Sequence, residues 1–200
     1  MNKNNVGETN FNSSPLGRLG GVCVFCSSSD KIADEYKQMA FRLGEFIAEN
    51  GSTLVYGGAT GGLMTSVAEG AKSKSGEIIG VISDPIVKMN RQSDVPTTRI
   101  VVKNLSERKQ KMKEISDVFV VLPGGCGTVD EMFDVIAAGT VGEHRIPLIL
   151  LNQHHFFNHL IEQIKFFKKE KSIPEQESYR PIIVNNLDEC EQLLLKMKFK

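Results

Sequence analysis

An α/β fold, a doubly wound parallel sheet with helices on both faces, is predicted by three observations. Short, wholly apolar runs of strand length recur along the 200 residues, segments of helical period stand between them, and two glycine-rich turns each follow an apolar run and lead into a helical pattern. A strand apolar at every position is buried on both faces, which is what a parallel sheet between two helical layers demands. Ligands of such Rossmann-like folds bind beyond the carboxyl ends of the strands, the edge where both glycine turns fall.

Residues 1–20 are polar, carry Asn, Ser, Pro and Gly, lack the apolar block of a secretory signal, and read as a flexible arm ahead of one domain over 21–200. Residues 22–26 read as a buried strand. Asp30 then precedes Ile32, Tyr36, Met39, Leu43, Phe46 and Ile47 at helical spacing, stopped by Asn50-Gly51. Residues 53–56 are the second strand, Gly57 to Gly62 its turn, and 63–71 the helix after it. Strands follow at 78–82 and 99–102, and the stretch 84–98 between them, with two prolines and little periodicity, reads as a loop over a site. Next come a charged helix over 106–115, an apolar strand over 118–122, a helix over 128–141 and a strand over 148–151. An amphipathic helix over 156–169 and a short strand over 182–184 complete the alternation. Asn186, with Glu189 three residues on, makes a good start for a final helix over 187–198.

Lys and Arg number 24, as do Asp and Glu, so the net charge is zero and no nucleic-acid partner is implied by bulk electrostatics. Apolar runs such as 146–151 fall far short of the roughly 20 residues that span a bilayer, so no membrane partner is expected. Four cysteines, at 23, 26, 126 and 190, do not make a secreted disulfide framework, and a cytoplasmic protein fits them. Cys23 and Cys26 form a C-x-x-C, but positions three apart on a strand point to opposite faces, so they read as buried thiols rather than a redox pair.

Neither glycine turn is a common nucleotide signature. The spacing from Gly57 to Gly62 is that of a Walker loop, yet Leu63 stands where the lysine belongs, and G-x-G-x-x-G is absent. What remains is the general mechanism, in which glycines let backbone amides approach an anion and a helix N-terminus adds partial positive charge. A phosphate monoester suits that site. Turn geometry alone accounts equally for either run. Thr128-Val-Asp-Glu131 fits a capping box, in which Glu131 would reach back to the amide of Thr128. The same carboxylate would also lie beside the phosphate cradle, kept ionised by the helix dipole, where it could stabilise a sugar cation or orient water. Ser106-Glu107-Arg108-Lys109 reads either as a solvated face or as a basic pair reaching the phosphate or sugar, Arg108 with a planar fork of donors. Cys126 is either a thiol at a helix N-terminus or a tolerant turn position. His154, His155 and His159 lack H-E-x-x-H and an acidic partner at ligand spacing, so no metal is expected, and without a G-x-S-x-G elbow a serine hydrolase has no support.

Taken in order, Val24-Phe-Cys-Ser-Ser-Ser, Val55-Tyr-Gly-Gly-Ala-Thr-Gly-Gly-Leu-Met64, Glu107-Arg-Lys-Gln-Lys-Met112 and Pro123-Gly-Gly-Cys-Gly-Thr-Val-Asp-Glu131 carry a resemblance over about residue 22 to the end. The chain resembles the LONELY GUY family of cytokinin riboside 5'-monophosphate phosphoribohydrolases, whose members were often labelled lysine decarboxylases. The last motif matches the family's P-G-G-x-G-T-x-x-E at every fixed position. The resemblance implies a Rossmann-like subunit, a homodimer or assembly of dimers, that hydrolyses the N-glycosidic bond of a nucleoside 5'-monophosphate, AMP or an N6-substituted AMP, to free base and ribose 5-phosphate. It implies Arg108 and Glu131 as the catalytic pair. Gly124, Gly125, Cys126, Gly127 and Thr128 would form the phosphate-binding turn, with Lys109, Gly57 and Gly58 as further substrate contacts. No cofactor is implied, since a decarboxylase would need pyridoxal phosphate and no lysine stands in a Schiff-base context. The chain departs from the family at Ser27, Ala59 and Thr65, and over 137–142, where many relatives carry a Thr-Trp and this chain has no tryptophan. That altered segment leaves room for the alternative of a non-catalytic nucleotide or cofactor carrier.

Overall fold

The computed structural model describes residues 20–173 and 179–197. The arm expected over 1–20 lies outside these residues, Gly20 excepted, as does residue 198 of the helix expected over 187–198, which ends at Lys196. Seven strands, β1 (Gly21–Phe25), β2 (Thr53–Tyr56), β3 (Ile78–Ser83), β4 (Thr98–Val102), β5 (Val118–Val121), β6 (Leu148–Leu151) and β7 (Ile182–Val184), form one sheet in the order β4-β3-β2-β1-β5-β6-β7. Every adjacent pair is parallel. The helices are α1 (Asp34–Glu49), α2 (Gly62–Ser73), α3 (Asp84–Lys88), α4 (Leu105–Glu114), α5 (Cys126–Thr140), α6 (Asn158–Lys169) and α7 (Leu187–Lys196).

Alternation along the strands divides the core in two. Val22, Val24, Leu54, Val118 and Val120 face α1, α2 and α7 through Leu43, Val67 and Leu194. Val55, Ile79, Phe119, Val121 and Leu148 face α4, α5 and α6 through Met112, Met132, Val135 and Ile161. Cys26 packs into the first cluster and Cys23 into the second, as opposite strand faces require. Both thiols are fully buried, and burial pushes their pKa values well above the ordinary range. The predicted doubly wound sheet is therefore the observed one. The strand order reverses direction between β1 and β5, so the crevice beyond their carboxyl ends is where such a fold places a ligand.

Two of the differences from the sequence reading bear on the cleft. The stretch 84–98 is not all loop: it opens with the five-residue α3, started by Pro85 close to its N-terminus. The helix expected from Thr128 begins instead at Cys126 with Gly125 as its N-cap. By contrast, the cap expected for the last helix is formed, with Asn186 Oδ1 accepting from the Glu189 amide at 2.9 Å.

Candidate active site

A cleft of about 340 Å³ lies over the β1/β5 crevice. Its walls are the loop after β1 (Cys26 to Ser29), Ala59 and Met64 beyond β2, Ile86 and Arg91 beyond β3, the start of α4, and the β5–α5 turn with Glu131. A larger groove of about 570 Å³ runs outside α4 and is far more open. Its charges already pair with one another, as Lys111 with Glu114 at 3.3 Å and Lys113 with Asp134 at 2.8 Å. The smaller cleft is where unpaired donors and buried charge converge.

Arg108 and Glu131 meet on its floor. Asn104 caps α4 by accepting from the Glu107 amide at 2.9 Å, and the helix then buries Arg108 and Met112, one turn apart, on a single stripe. From α5, which buries Glu131 and Met132 on its inner face, the carboxylate accepts a hydrogen bond from Arg108 Nη2. Only 7 % of Arg108 and 3 % of Glu131 is exposed, so each neutralises a charge the interior would otherwise reject. On the more exposed side of the same two helices, the neighbouring Lys109 holds Asp130 at 3.0 Å and Asp134 at 3.4 Å. The pairs therefore sort by depth, with Arg108–Glu131 buried at the cleft and the Lys109 pairs towards solvent.

The capping-box reading of Glu131 fails. Because the helix starts at Cys126, Thr128 is already inside it and Glu131 lies in the second turn, too far along to reach back to the first amides; no side chain caps this end. The expectation that the helix dipole keeps Glu131 ionised near neutrality also changes. Burial dominates and raises its pKa to about 7, while the Arg108 guanidinium acts in the opposite direction. Glu131 is thus poised to exchange a proton near neutral pH.

The two glycine turns play different parts. The first intrahelical bond of α5 runs from the Val129 amide to the Gly125 carbonyl at 3.1 Å. The amides of Cys126, Gly127 and Thr128 precede it and have no partner among the described residues. A Cβ built at Gly125 or Gly127 meets no atom within 4 Å, so both backbones face open space, whereas one at Gly124 would stand 2.1 Å from Thr128 Oγ1. Gly124 serves the turn's packing, and Gly125, Gly127 and Thr128 line the cleft. Cys126 is exposed. At the other turn the donors are occupied. The Gly61 amide bonds Thr65 Oγ1 and that of Gly62 bonds Asp30 Oδ1, both at 2.8 Å. The Leu63 and Met64 amides bond the Ser27 carbonyl at 2.9 and 3.2 Å. The anion site expected at this helix start is therefore filled by the protein itself. Gly57 and Gly58 lie behind the cleft, off its lining: a Cβ at Gly57 would stand 3.0 Å from Met64 Cε and 3.4 Å from Arg108 Nη1. Gly57 therefore packs beside Arg108, and Gly58 packs against Gly80 and Ile82 of β3.

Arg108 Nε is buried without a hydrogen-bond partner among the described residues. Arg91, Ser28, Ile86 and Leu105 are cleft residues that the sequence reading did not name. The aperiodic stretch 84–98 pointed to the segment containing Arg91, but nothing local marked the residue.

Comparison with known proteins adds the family. The sequence model of a family described as "possible lysine decarboxylase" matches residues 64–194. The cytokinin riboside 5'-monophosphate phosphoribohydrolase of Rhodococcoides fascians is 33% identical over 84% of this chain and 85% of its own length. The probable enzyme of the same name, LOGL9, from Oryza sativa subsp. japonica is 37% identical over 86% of this chain and 74% of its length. Among solved structures, the molybdenum cofactor carrier protein of Chlamydomonas reinhardtii superposes with a TM-score of 0.67 at 25% identity, covering 90% of this chain and 100% of that one. With relatives this similar over most of its length and a family model matching residues 64–194, the chain belongs to the LONELY GUY family, that of the cytokinin riboside 5'-monophosphate phosphoribohydrolases.

Proposed function

We propose that this protein hydrolyses the N-glycosidic bond of a nucleoside 5'-monophosphate, AMP or an N6-substituted AMP, releasing free base and ribose 5-phosphate. The observation that carries the reading is the buried Arg108–Glu131 pair on the floor of a cleft whose wall is the open N-terminus of α5. The amides of Cys126, Gly127 and Thr128 hold the phosphate, where the helix end favours negative charge. That anchor sets the ribose over Glu131. As the bond from C1' to the base nitrogen breaks, its electron pair leaves with the base and positive charge grows on the sugar. The Glu131 carboxylate offsets that charge and accepts the proton of the water whose oxygen bonds to C1', and that proton passes to the departing base nitrogen, which restores the carboxylate. Arg108 fixes the carboxylate, and its free Nε donates to the substrate. Lys109, at the rim and 17% exposed in its side chain, is a second-rank substrate contact.

The working unit is one Rossmann-like domain over 21–200 that forms a homodimer, a reading supported by the family resemblance and by exposed apolar side chains such as Met89, Val101, Leu105 and Val141. It works in the cytoplasm, where the free cysteines Cys23, Cys26, Cys126 and Cys190 stay reduced. Among the described residues, no helix is long and apolar enough to cross a membrane.

The test is a panel of nucleoside 5'-monophosphates, with base and ribose 5-phosphate measured by chromatography. Release of adenine from AMP, or of the corresponding base from its N6-substituted form, is the expected result. Tight binding across the panel with no base released would replace the enzyme by a carrier, the reading that the likeness to the molybdenum cofactor carrier favours.

A further inference from the structure

The segment after α3, which brings Arg91 to the cleft wall, is held by the first glycine turn. The Thr60 amide donates to the Arg91 carbonyl and the Ser93 amide to the Gly58 carbonyl, each at 2.8 Å. Between them Ala59 and Gln92 form an antiparallel bridge. Asn90, with φ of 54°, turns the chain just before this pairing. Gly57 to Thr60 thus serve as a template strand, which is a use for the turn that does not need its amides for an anion. The residue so placed is Arg91, whose side chain enters the cleft lined by Gly125, Gly127, Thr128 and Glu131.

Arg91 differs from the other cations there. Its Nη2 donates to Ser28 Oγ at 3.2 Å and, at 3.5 Å each, to the carbonyls of Ser28 and Thr60, all neutral acceptors. Arg108 has Glu131 and Lys109 has Asp130, so the cleft's two carboxylates are already matched. Arg91 is the cation left without a carboxylate among the described residues. Its remaining N–H groups have no partner among them either, and a guanidinium presents such donors in a fork suited to phosphate.

We propose that Arg91 is a second anchor for the substrate's 5'-phosphate, closing on it from the side opposite the α5 amides; the proposal rests on the nucleotide reading given above. Coulomb attraction decides between phosphate and base. An uncompensated cation gains far more from the substrate's only formal charge than from the dipoles of a neutral base. Ser28 positions the guanidinium from the loop after β1, so the phosphate would sit between that loop and the start of α5.

The experiment compares the wild type with Arg91→Ala and Arg91→Lys, using competitive inhibition by the two products separately. Arg91→Ala is expected to raise the KM for AMP and the inhibition constant of ribose 5-phosphate by the same factor, roughly 10- to 100-fold as for a lost charge-assisted hydrogen bond. The inhibition constant of adenine should stay where it was, and Arg91→Lys should restore part of the loss. An unchanged constant for ribose 5-phosphate overturns the proposal. A shift for adenine alone makes Arg91 a base contact and overturns it equally. Calorimetric titration of ribose 5-phosphate into wild type and Arg91→Ala reads the same difference without catalysis. If the wild type releases no base from any monophosphate, the hydrolase reading falls while this binding comparison still judges Arg91.

Discussion

Two opposing forces act on the Glu131 carboxylate. Burial disfavours its charge and the Arg108 guanidinium favours it, and the balance leaves its pKa raised from 4.5 to about 7. Two consequences run in opposite directions with pH. The folded chain binds this proton more tightly than the unfolded chain does, so the contribution of Glu131 to stability is full below about 4.5 and is lost as pH rises through about 7. Activity that needs the carboxylate rises over the same interval, so kcat/KM should climb with pH and level off above neutrality. The substrate phosphate ionises near pH ~6 and contributes to that limb. Glu131→Gln separates the two, since it should cut kcat by about 10²- to 10⁴-fold and leave only the phosphate's part of the pH profile. A variant with wild-type kcat and the full acidic limb would remove Glu131 from the mechanism. Choosing Glu131 over its neighbour Asp130 was legible in the sequence through the motif, but its depth was not. The local pattern from Thr128 to Glu131 favours a cap, and only the tertiary placement of Arg108 on another helix shows the side chain turned inward. Arg91 was illegible for the same reason, because its position depends on pairing with Ala59 and Thr60, some thirty residues earlier.

At the scale of elements, most of the fold could be read because strand and helix signals are local. The apolar runs at β2 and β6 fall where the pattern puts them, and the Asn186–Glu189 pair starts α7 as expected. The start of α5 lies two residues earlier than expected, because Gly125 takes the N-cap position in place of Thr128. That displacement leaves the Cys126, Gly127 and Thr128 amides without a hydrogen-bond partner among the described residues. Two glycines of this turn should then respond in opposite ways to an added methyl. Gly127→Ala puts it in open space on a helical residue, so the chain should keep its stability or gain about 0.5–1 kcal/mol, while KM rises as the methyl intrudes on the phosphate. Gly124→Ala puts it 2.1 Å from Thr128 Oγ1, so the turn must move, at a cost of about 1–3 kcal/mol. Thermal melts paired with AMP kinetics check both. A destabilised Gly127→Ala with unchanged KM would mean that the α5 amides do not face the phosphate.

In the whole molecule, the cleft is built from both halves of the sheet. The loops after β1, β2 and β3 supply Ser28, Ala59 and Arg91, and the turn after β5 supplies Gly125 and Gly127 from across the switch point. Arg108 comes from α4, the connection that carries the chain from β4 at one edge to β5 past the centre. Its pairing with Glu131 on α5 closes the floor of the site within one helical layer. A ligand bound between Ser28 and the start of α5 therefore touches segments distant in sequence that the unfolded chain cannot bring together. Such a ligand binds the folded state alone, and its binding energy appears as stability. At ribose 5-phosphate about 100-fold above its Kd, the gain is about 2.7 kcal/mol, which for a chain of this size raises Tm by roughly 5–11 °C. Adenine carries no phosphate and should shift Tm far less at equal concentration. The comparison identifies which product the molecule holds more tightly, since a larger shift from adenine than from ribose 5-phosphate would mean that the base, and not the phosphate, ties the two halves together.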